Sequence, residues 1–307
     1  GETNITTDTL NVKVLHENAN ANGLKTDGYG TNGSTVNVET GSLDLDVTGK
    51  IDATGMAVGV GTATVTVDTS AAAPARINVE STGTGTAYGM SANGSGAGTN
   101  ILEADYAEIN AKADSGTAYG MYARSNSSQA SGVVVNEIRA NEGALNLALA
   151  AEGSSADPSS MSGSSVNVSK SCAMYAEKSY SSTALSTAEN RITGTDSADT
   201  VALTGNLFAR NGGLNAVRTG GGQDSVTLNG EMYANQEGVN LIDAGLGENT
   251  VTVNGDMRIQ NGGENTITAG ILTDDATGTV TRDTADNSIT VNGGMSARRE
   301  YTGAAHS

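Results

Sequence analysis

Aliphatic and polar residues alternate in short stretches along this chain, and one stretch occurs four times towards its carboxyl end. The first copy runs from Asp199 to Ala209, and the others begin at Asp224, Asn249 and Asn287. Each copy opens with Asp or Asn, places two aliphatic residues on either side of a residue that is usually Thr, and then has a Gly. Alternation with a period of two predicts a strand with one buried face, and the Gly predicts a bend after it.

The spacing of the copies predicts a solenoid. The first three copies begin 25 residues apart, and the fourth begins 38 residues after the third. A strand, a corner and a second strand within about two dozen residues are typical of one coil of a repeat protein. We therefore predict an all-β fold, a single-stranded parallel β-helix (β-solenoid) with about nine rungs of ~25–34 residues.

The methionines indicate a second repeat in the amino-terminal half. Gly85–Met90 returns as Gly116–Met121, and seven of the eight methionines follow a small residue or a turn. Flexible apolar side chains at a repeat period predict an interior column, and a metal-binding methionine array is the weaker alternative. The long gap between Met121 and Met174 is interpreted as two rungs with Leu147 between them. The column is predicted to contain Met56, Met90, Met121, Met174, Leu207, Met232, Met257 and Met295.

The predicted organisation has three parts. Residues 1–33 form an N-terminal cap or first rung, residues 34–297 form the β-helix, and residues 298–307 form a tail that is a candidate for disorder. Within the β-helix, residues 34–190 carry longer rungs and residues 191–297 carry shorter rungs with the 25-residue period. Loops are expected at 125–132, 153–165, 177–186 and 273–286, and short helical turns are the most that is expected at 144–152 and 184–190.

The composition limits which folds and which classes of binding partner are plausible for this chain. The chain has 34 acidic and 16 basic residues, a net charge of −18, which disfavours nucleic acid because the phosphate backbone would be repelled. Aromatic residues are 3% of the chain, so a wide globular core would be hard to fill. Cys172 is the only cysteine, which excludes an intrachain disulfide. No stretch approaches the roughly 20 apolar residues of a transmembrane helix, so no transmembrane segment is predicted.

Catalytic chemistry is disfavoured, and we predict that the chain is not an enzyme. The two histidines, His16 and His306, lie near opposite ends, so a Ser–His–Asp triad is not expected. The alternative is a secreted β-helical carbohydrate-active enzyme, a lyase or glycosidase, with paired carboxylates above a sugar groove. Its candidate carboxylates are Asp44, Asp46 and Asp52, or Glu103, Asp105 and Glu108.

Two sets of residues are weak candidates for binding. Five tyrosines lie beside the repeated methionine position and could form a ladder, although we expect them to cover rung edges with their phenols at the solvent. They are Tyr88, Tyr119, Tyr122, Tyr175 and Tyr233.

The second set concerns calcium. Glycine-rich turns before Asp224, Asn249 and Asn265 are similar to the nonapeptide of calcium-binding β-rolls, so these three residues are weak calcium candidates. Asn replaces Asp at two of the positions, and the spacings are 25 and 16 residues. Turns closed by Asp and Asn side chains on the backbone suit these departures better. No cofactor is expected, and a calcium-stabilised repeat spacer remains an alternative.

Two sequence segments, Gly116–Ala123 and Glu248–Gly255, resemble segments of the passenger domains of bacterial autotransporter adhesins. The resemblance implies a right-handed parallel β-helix, export through the outer membrane and display outside the cell, on the bacterial surface. It also implies that the chain is a passenger or a fragment of a longer protein. The expected function is that of a cell-surface adhesin or structural stalk. Its expected partners are host or bacterial surface molecules, glycans or copies of itself, bound through β-helix faces and protruding loops.

Overall fold

The computed structural model describes residues 2–27, 33–94, 96–125, 133–153, 171–178, 187–274 and 279–298. Within these ranges the regular structure consists of β-strands, and no helix is long and apolar enough to span a membrane. Three of the expected loops, at 125–132, 153–165 and 177–186, lie almost wholly outside the described residues, as do Met161, His306 and the expected tail.

The strands form three parallel sheets of nine strands each, here called sheets A, B and C. Sheet A contains β1 (Glu2–Thr7), β4 (Ser34–Thr40), β7 (Gly61–Val67), β10 (Gly98–Glu103), β13 (Val133–Arg139), β16 (Thr187–Thr193), β19 (Leu214–Arg218), β22 (Val239–Asp243) and β25 (Glu264–Thr268). Sheet B contains β2 (Leu10–His16), β5 (Leu43–Gly49), β8 (Ala75–Ser81), β11 (Tyr106–Ala113), β14 (Asn146–Gly153), β17 (Thr200–Thr204), β20 (Ser225–Asn229), β23 (Thr250–Val253) and β28 (Ser288–Val291).

Sheet C contains β3 (Ala21–Thr26), β6 (Ala53–Val58), β9 (Ala87–Gly94), β12 (Ala118–Ser125), β15 (Ser171–Lys178), β18 (Asn206–Arg210), β21 (Met232–Asn235), β24 (Met257–Gln260) and β29 (Met295–Arg298). The chain visits A, B and C in turn, and each strand pairs in parallel with the strand three further along, until the hairpin of β26 (Ile271–Asp274) and β27 (Thr279–Arg282). The fold is therefore the predicted all-β parallel solenoid. The hairpin occupies the expected loop at 273–286.

Equivalent residues of successive strands stack into interior columns. Val12, Leu45 and Ile77 are consecutive members of one column on sheet B. The predicted methionine column lies on sheet C, where Met56, Met90, Met121, Met174, Leu207 and Met232 are fully buried. Burying the apolar face of every strand contributes about 25 cal/mol per Å². The narrow core is filled by branched aliphatic residues, Ala and Met, as the low aromatic content predicts.

Three sequence predictions are wrong in detail. Met121 pairs directly with Met174, so the gap between them is one coil, and Leu147 lies on sheet B. The segment proposed for helical turns at 144–152 is largely β14, and the segment at 184–190 contains the start of β16. Ala is a strong helix former, but here it alternates with buried leucines: Leu147 and Leu149 face inward and Ala148 faces outward, as in a strand. Finally, each coil has three strands where two were expected.

A buried row of asparagines joins six successive strands of sheet A, and we call it the amide ladder. The Nδ2 of each of the first five donates to the Oδ1 of the next asparagine at 2.8–3.0 Å. Each Nδ2 also donates to a main-chain carbonyl of the preceding sheet C strand, such as Tyr122 O for Asn136 and Tyr175 O for Asn190. The ladder thereby fastens the turn between sheets C and A in the six coils that contain these asparagines. Its members are Asn100, Asn136, Asn190, Asn215, Asn240 and Asn265.

Glycine permits the turns between sheets A and B to stack closely. Gly245 has a φ of 62°, which is in the left-handed region. A Cβ at this position would lie 1.5 Å from the carbonyl oxygen of Gly220, the equivalent turn one coil earlier. The glycine-rich sequence therefore reflects the approach of one turn to the next.

We predict that Asn190→Ala lowers the free energy of unfolding by about 3 kcal/mol or more, because it leaves the buried Asn136 amide without its acceptor and the Asn215 oxygen without its donor. Asn254→Ala is the matched control, since Asn254 also donates to an asparagine but is exposed, and it should cost less than about 0.5 kcal/mol. Chemical denaturation of both variants measures the difference. Equal losses would contradict a special role for the buried amides.

Candidate functional site

The predicted tyrosines are brought together on the outer side of sheet C. Tyr122, Tyr175 and Tyr233 occupy equivalent positions on successive strands, with Phe208 between the last two. Neighbouring ring centroids are 5.2, 5.3 and 4.9 Å apart, and the planes differ by 7°, 24° and 14°. We call these four rings the aromatic column. A shorter stack beside it joins Tyr88 and Tyr119 at 5.5 Å.

The aromatic column is buried, so the expectation of phenols at the solvent is wrong for its tyrosines. Tyr122, Tyr175 and Tyr233 are 8%, 3% and 5% exposed. The Tyr175 hydroxyl donates to Glu177 at 2.6 Å, and that of Tyr233 donates to Gln260 at 2.5 Å. Stacked rings cover both faces of Tyr175 and Phe208 and one face of Tyr122 and Tyr233. With the three tyrosines at most 8% exposed, the column leaves little ring surface on which a sugar could stack.

Burial controls the ionisation of this cluster. Loss of hydration raises the pKa of Tyr122 to about 12, and it raises the pKa values of Tyr119 and Tyr175 well above the usual range. It likewise raises the pKa of the Cys172 thiol, which lies fully buried among the rings. These phenols and this thiol stay neutral at physiological pH. Their chemistry is that of packing and hydrogen bonding, not of nucleophilic or acid–base catalysis.

Two members of this cluster, Phe208 and Cys172, were not among the candidate residues. The signal for Phe208 was present, because an aromatic residue directly follows the methionine-column residue in Met121-Tyr122, Met174-Tyr175, Leu207-Phe208 and Met232-Tyr233. Alternation puts such a residue on the outer face of its strand. Alternation could not predict that rings on neighbouring strands would cover one another on this outer face.

The first residue of the repeated phrase forms a second buried row, which we call the turn ladder. The members are Asp199, Asp224, Asn249 and Asn287. The main-chain N–H of each of the first three residues donates to the Oδ1 of the next at 2.9–3.0 Å, across the turn between sheets A and B. The Asp199 carboxylate also accepts the N–H groups of Leu145 and Thr195. The repeated Asp or Asn thus closes its own turn and joins it by a hydrogen bond to the turn of the neighbouring coil.

The calcium candidates do not form one site. Asp224 and Asn249 belong to the turn ladder, whereas Asn265 lies in the amide ladder at the opposite end of the sheet A strands. Both carboxylate oxygens of Asp224 are occupied, by Asp199 N–H and by the Thr219 hydroxyl. Asn249 donates to the Gly245 carbonyl at 3.1 Å. Among the described residues, no group of three or more His, Cys, Asp or Glu is placed to hold a metal ion.

The two carboxylates of the turn ladder, Asp199 and Asp224, are buried and have raised pKa values. Burial raises the pKa of Asp199 to about 6 and raises that of Asp224, against the opposing effect of the hydrogen bonds that they accept. The Asp224 and Asp105 charges raise the Asp199 pKa further. The folded chain therefore binds a proton more tightly here than the unfolded chain does.

The carboxylates proposed for a sugar groove lie on different surfaces. Asp44 and Asp46 lie on the outer face of sheet B, where Asp46 accepts from Asn78 at 3.2 Å. Asp52 caps the next coil by accepting the Thr86 N–H. Glu103 lies on sheet A, where its hydrogen bonds to Thr66 and Arg139 hold its pKa below the usual range despite the opposing cost of burial.

Asp105 and Glu108 are also engaged. Asp105 accepts the main-chain N–H groups of Asn141, Glu142 and Gly143, and Glu108 pairs with Arg76 at 3.0 Å. Asp44, Asp46 and Glu108 thus share the outer face of sheet B, whereas Glu103 lies on sheet A and the other two carboxylates lie in two different turns.

An open groove of ≈ 500 Å³ runs across the outer face of sheet B at its amino-terminal end. Its floor is a column of hydrogen-bonding side chains, in which Asn110 donates to Asn78 at 3.1 Å and Asn78 donates to Asp46. Lys112 pairs with Glu80 at 2.7 Å along one side, and the exposed Leu15 lies beside it. The groove offers amide, carboxylate and ammonium groups in a fixed array, which suits a polar ligand.

We predict that Asp224→Asn flattens the decrease of stability between pH 4 and pH 7. The stability that comes from a raised carboxyl pKa is present below the unfolded value of 3.8 and is lost as pH rises through the folded pKa. For Asp199, whose pKa is about 6, this loss continues up to about pH 6. The amide keeps the Oδ1 acceptor, and the Thr219 hydroxyl can accept from the new Nδ2.

The reciprocal variant is Asn249→Asp, which adds a buried carboxylate against the Gly245 carbonyl and should introduce a loss of stability with rising pH. Thermal denaturation from pH 4 to pH 7 compares the two variants with the parent chain. A parallel pH profile for all three would show that the turn ladder does not titrate as described.

We predict that Phe208→Ala lowers the free energy of unfolding by about 3–5 kcal/mol, because it leaves a gap between the rings of Tyr175 and Tyr233. Phe208→Tyr is the control, since it reproduces the residue of the neighbouring coils and should cost far less. Urea denaturation and near-ultraviolet circular dichroism of both variants give the answer. A small loss for Phe208→Ala would mean that the aromatic column is not a stabilising element.

Comparison with protein-family models, with curated proteins and with solved structures finds no significant match to this chain.

Proposed function

We propose that this chain is a cell-surface adhesin or structural stalk that binds large polar partners through the outer face of sheet B. The groove at the amino-terminal end of that face is the observation that carries the proposal. Its Asp46, Asn78 and Asn110 side chains lie one above another at the spacing of parallel strands, so their orientation is set by the fold. A pre-positioned array of this kind loses little conformational entropy when it binds.

The charged residues around the groove favour a glycan or a protein surface as the partner. Arg76 and Glu108 pair beside the floor of the groove, and Lys112 pairs with Glu80 and with Asp114. Both charge signs are thus available locally on a chain whose net charge is −18. Such a surface favours neutral polar or mixed-charge partners and repels polyanions. Host or bacterial surface molecules that are neutral or carry both charge signs satisfy that requirement, whereas copies of the chain itself repel one another through their net charge of −18.

The placement of the carboxylates favours binding over sugar cleavage. A glycosidase needs one carboxyl group with a raised pKa at an open position above the substrate. The described Asp and Glu residues whose pKa is raised are Asp199 and Asp224, and both are buried in the turn ladder. The carboxylates in the groove, Asp46 and Glu80, are occupied by Asn78 and Lys112. We therefore propose that the chain has no enzymatic activity.

The resemblance to autotransporter passenger domains supports the proposed place of action. Display at the bacterial surface, after export through the outer membrane, suits a fold stabilised by stacked coils without a disulfide. A calcium-stabilised spacer is less well supported, because Asp224 and Asn249 already satisfy one another and the adjacent backbone.

We predict that the double variant Asn78→Ala/Asn110→Ala lowers binding to glycans or to bacterial cells at least about tenfold, because it removes the amides from the groove floor. Glycan arrays and binding to whole cells measure this with the purified chain. The matched control is Asn254→Ala/Asn292→Ala, which removes two exposed asparagines from the same column at the other end of sheet B and should change binding less than twofold.

Two results would overturn the proposal. One is equal binding by both double variants and the parent chain. The other is release of reducing sugar or of unsaturated product from a polysaccharide by the parent chain, which would favour the carbohydrate-active enzyme. Circular dichroism of each variant checks that the fold is retained.

A further inference from the structure

The groove on the outer face of sheet B is longer than it is wide, and its long dimension runs along the solenoid axis. Its outward-facing lining residues come from the successive strands β2, β5, β8 and β11, and they form two columns. The floor column is Lys13, Asp46, Asn78 and Asn110, and the side column is Leu15, Thr48, Glu80 and Lys112. Strands at ~4.8 Å give the groove a length of ~14 Å, whereas outward neighbours on one strand are ~7 Å apart. A ligand that fills the groove is therefore narrow and lies across the strands.

The floor column repeats hydrogen-bonding groups from coil to coil. Asn110 donates to Asn78, and Asn78 donates to Asp46. An amide side chain has two N–H groups and two oxygen lone pairs, so among the described residues Asn78 keeps one donor and one acceptor without a partner. Asp46 likewise keeps its second carboxylate oxygen. Donors and acceptors for a ligand therefore recur at ~4.8 Å along the floor.

The charges of the groove cancel in neighbouring pairs. Lys13 and Asp46 are equivalent residues on adjacent strands, and Lys112 pairs with Glu80 at 2.7 Å. The groove is thus neutral on a chain whose net charge is −18. A charged ligand would lose hydration here without meeting an uncompensated opposite charge. The groove therefore favours a neutral ligand that is rich in donors and acceptors.

Spacing distinguishes the neutral ligands that are narrow enough. In an extended peptide, the backbone groups on one edge recur at every second residue, ~6.8 Å apart, which does not match the floor. In an extended β-1,4-linked glycan, each sugar ring lengthens the chain by nearly the distance between paired strands. Every ring also carries hydroxyl groups, and each of these both donates and accepts. A glycan of this kind can place one ring over each coil.

We propose that the groove binds an extended, neutral β-1,4-linked glycan along the solenoid axis, with one sugar ring on each coil. This inference rests on the proposed function, because it names the ligand class of the same groove. The floor column changes character after Asn110, since the equivalent residue on β14 is Ala150, which offers no polar side chain. Asn110 is therefore the last polar group of the floor in this direction.

Calorimetric titration of the purified chain with cello-, manno- and chito-oligosaccharides, from the monosaccharide to the hexasaccharide, tests the proposal. In at least one series we expect the affinity to rise about three- to tenfold with each added ring, because each ring adds about one net hydrogen bond. The rise should continue at least to the trisaccharide, since Asp46, Asn78 and Asn110 occupy three successive coils. Equal affinity for the monosaccharide and the trisaccharide in every series, or no binding in any, would refute the proposal.

Changing the length of the floor gives a sharper test. Ala150→Asn adds an amide beyond Asn110 and should extend the rise in affinity by one ring, whereas Asn110→Ala should shorten it by one. Ala148→Asn is the matched control, because Ala148 also faces outward on β14 but follows Glu108, outside the groove. It should leave the dependence on chain length unchanged. Circular dichroism of each variant checks the fold.

The outcomes separate this inference from the proposed function. If Asn78→Ala/Asn110→Ala weakens binding to cells but no oligosaccharide series shows a dependence on length, the glycan proposal fails and adhesion through sheet B stands. If the double variant binds cells as the parent chain does and no oligosaccharide binds, both fail. An unchanged length dependence for Ala150→Asn, or the same extension for Ala148→Asn, would overturn the arrangement of one ring per coil.

Discussion

Self-stacking is the constraint on which the rest of this structure depends. In a parallel solenoid the nearest neighbour of each side chain is the equivalent side chain of the next coil, at the ~4.8 Å separation of paired strands. Residue types that attract their own kind at that distance can be repeated: aliphatic residues in the core, rings at Tyr175 and Phe208, and amides at Asn190 and Asn215. Like charges cannot be repeated, because they repel directly across the strand pair.

The chain accommodates its many acidic residues by placing basic or polar side chains next to acidic ones in a column. On sheet A, Glu103 is flanked by Thr66 and Arg139, and both hydrogen-bond to it. On sheet B, Glu80 is followed by Lys112. Asp199 and Asp224 are the exception, because they occupy equivalent positions on neighbouring coils. There the main-chain N–H groups serve as the counter-charge, and the raised pKa values report the remaining cost.

The parts of the fold that could be predicted from the sequence are those with a repeated apolar signature. Alternation in the phrase that starts at Asp224 predicted the strands of sheets B and C and the bend between them. The later strands of sheet A, such as Leu214–Arg218 and Val239–Asp243, lie outside the repeated stretch, so they were not recognised as the third strand of each coil. The 25-residue interval between Asn215 and Asn240 was the available signal, and a polar residue is not normally taken as a mark of the core.

The sequence predicted which tyrosines lie together, but it did not predict that they would be buried. The five tyrosines were identified from their place beside the methionine position, and the structure gathers them on one face. Their burial could not be predicted, because strand parity alone assigns an outward residue to solvent. The same limit applied to Asp224, Asn249 and Asn265, since glycine-rich turns look alike in sequence. Only the three-dimensional register assigns the first two to one ladder and Asn265 to another.

Hydrogen bonding along the amide ladder is directional, and this affects where such a ladder can begin. The Nδ2 of every member except the last, Asn265, points towards the next asparagine, so the Oδ1 of the first member, Asn100, is left without a donor. Ala63 occupies the equivalent position one strand earlier and cannot supply one. One unsatisfied acceptor is shared among six residues, so its cost per coil falls as the ladder lengthens, while neighbouring bonds polarise one another. A long stack is therefore favoured over a short one by the polar groups as well as by the apolar core.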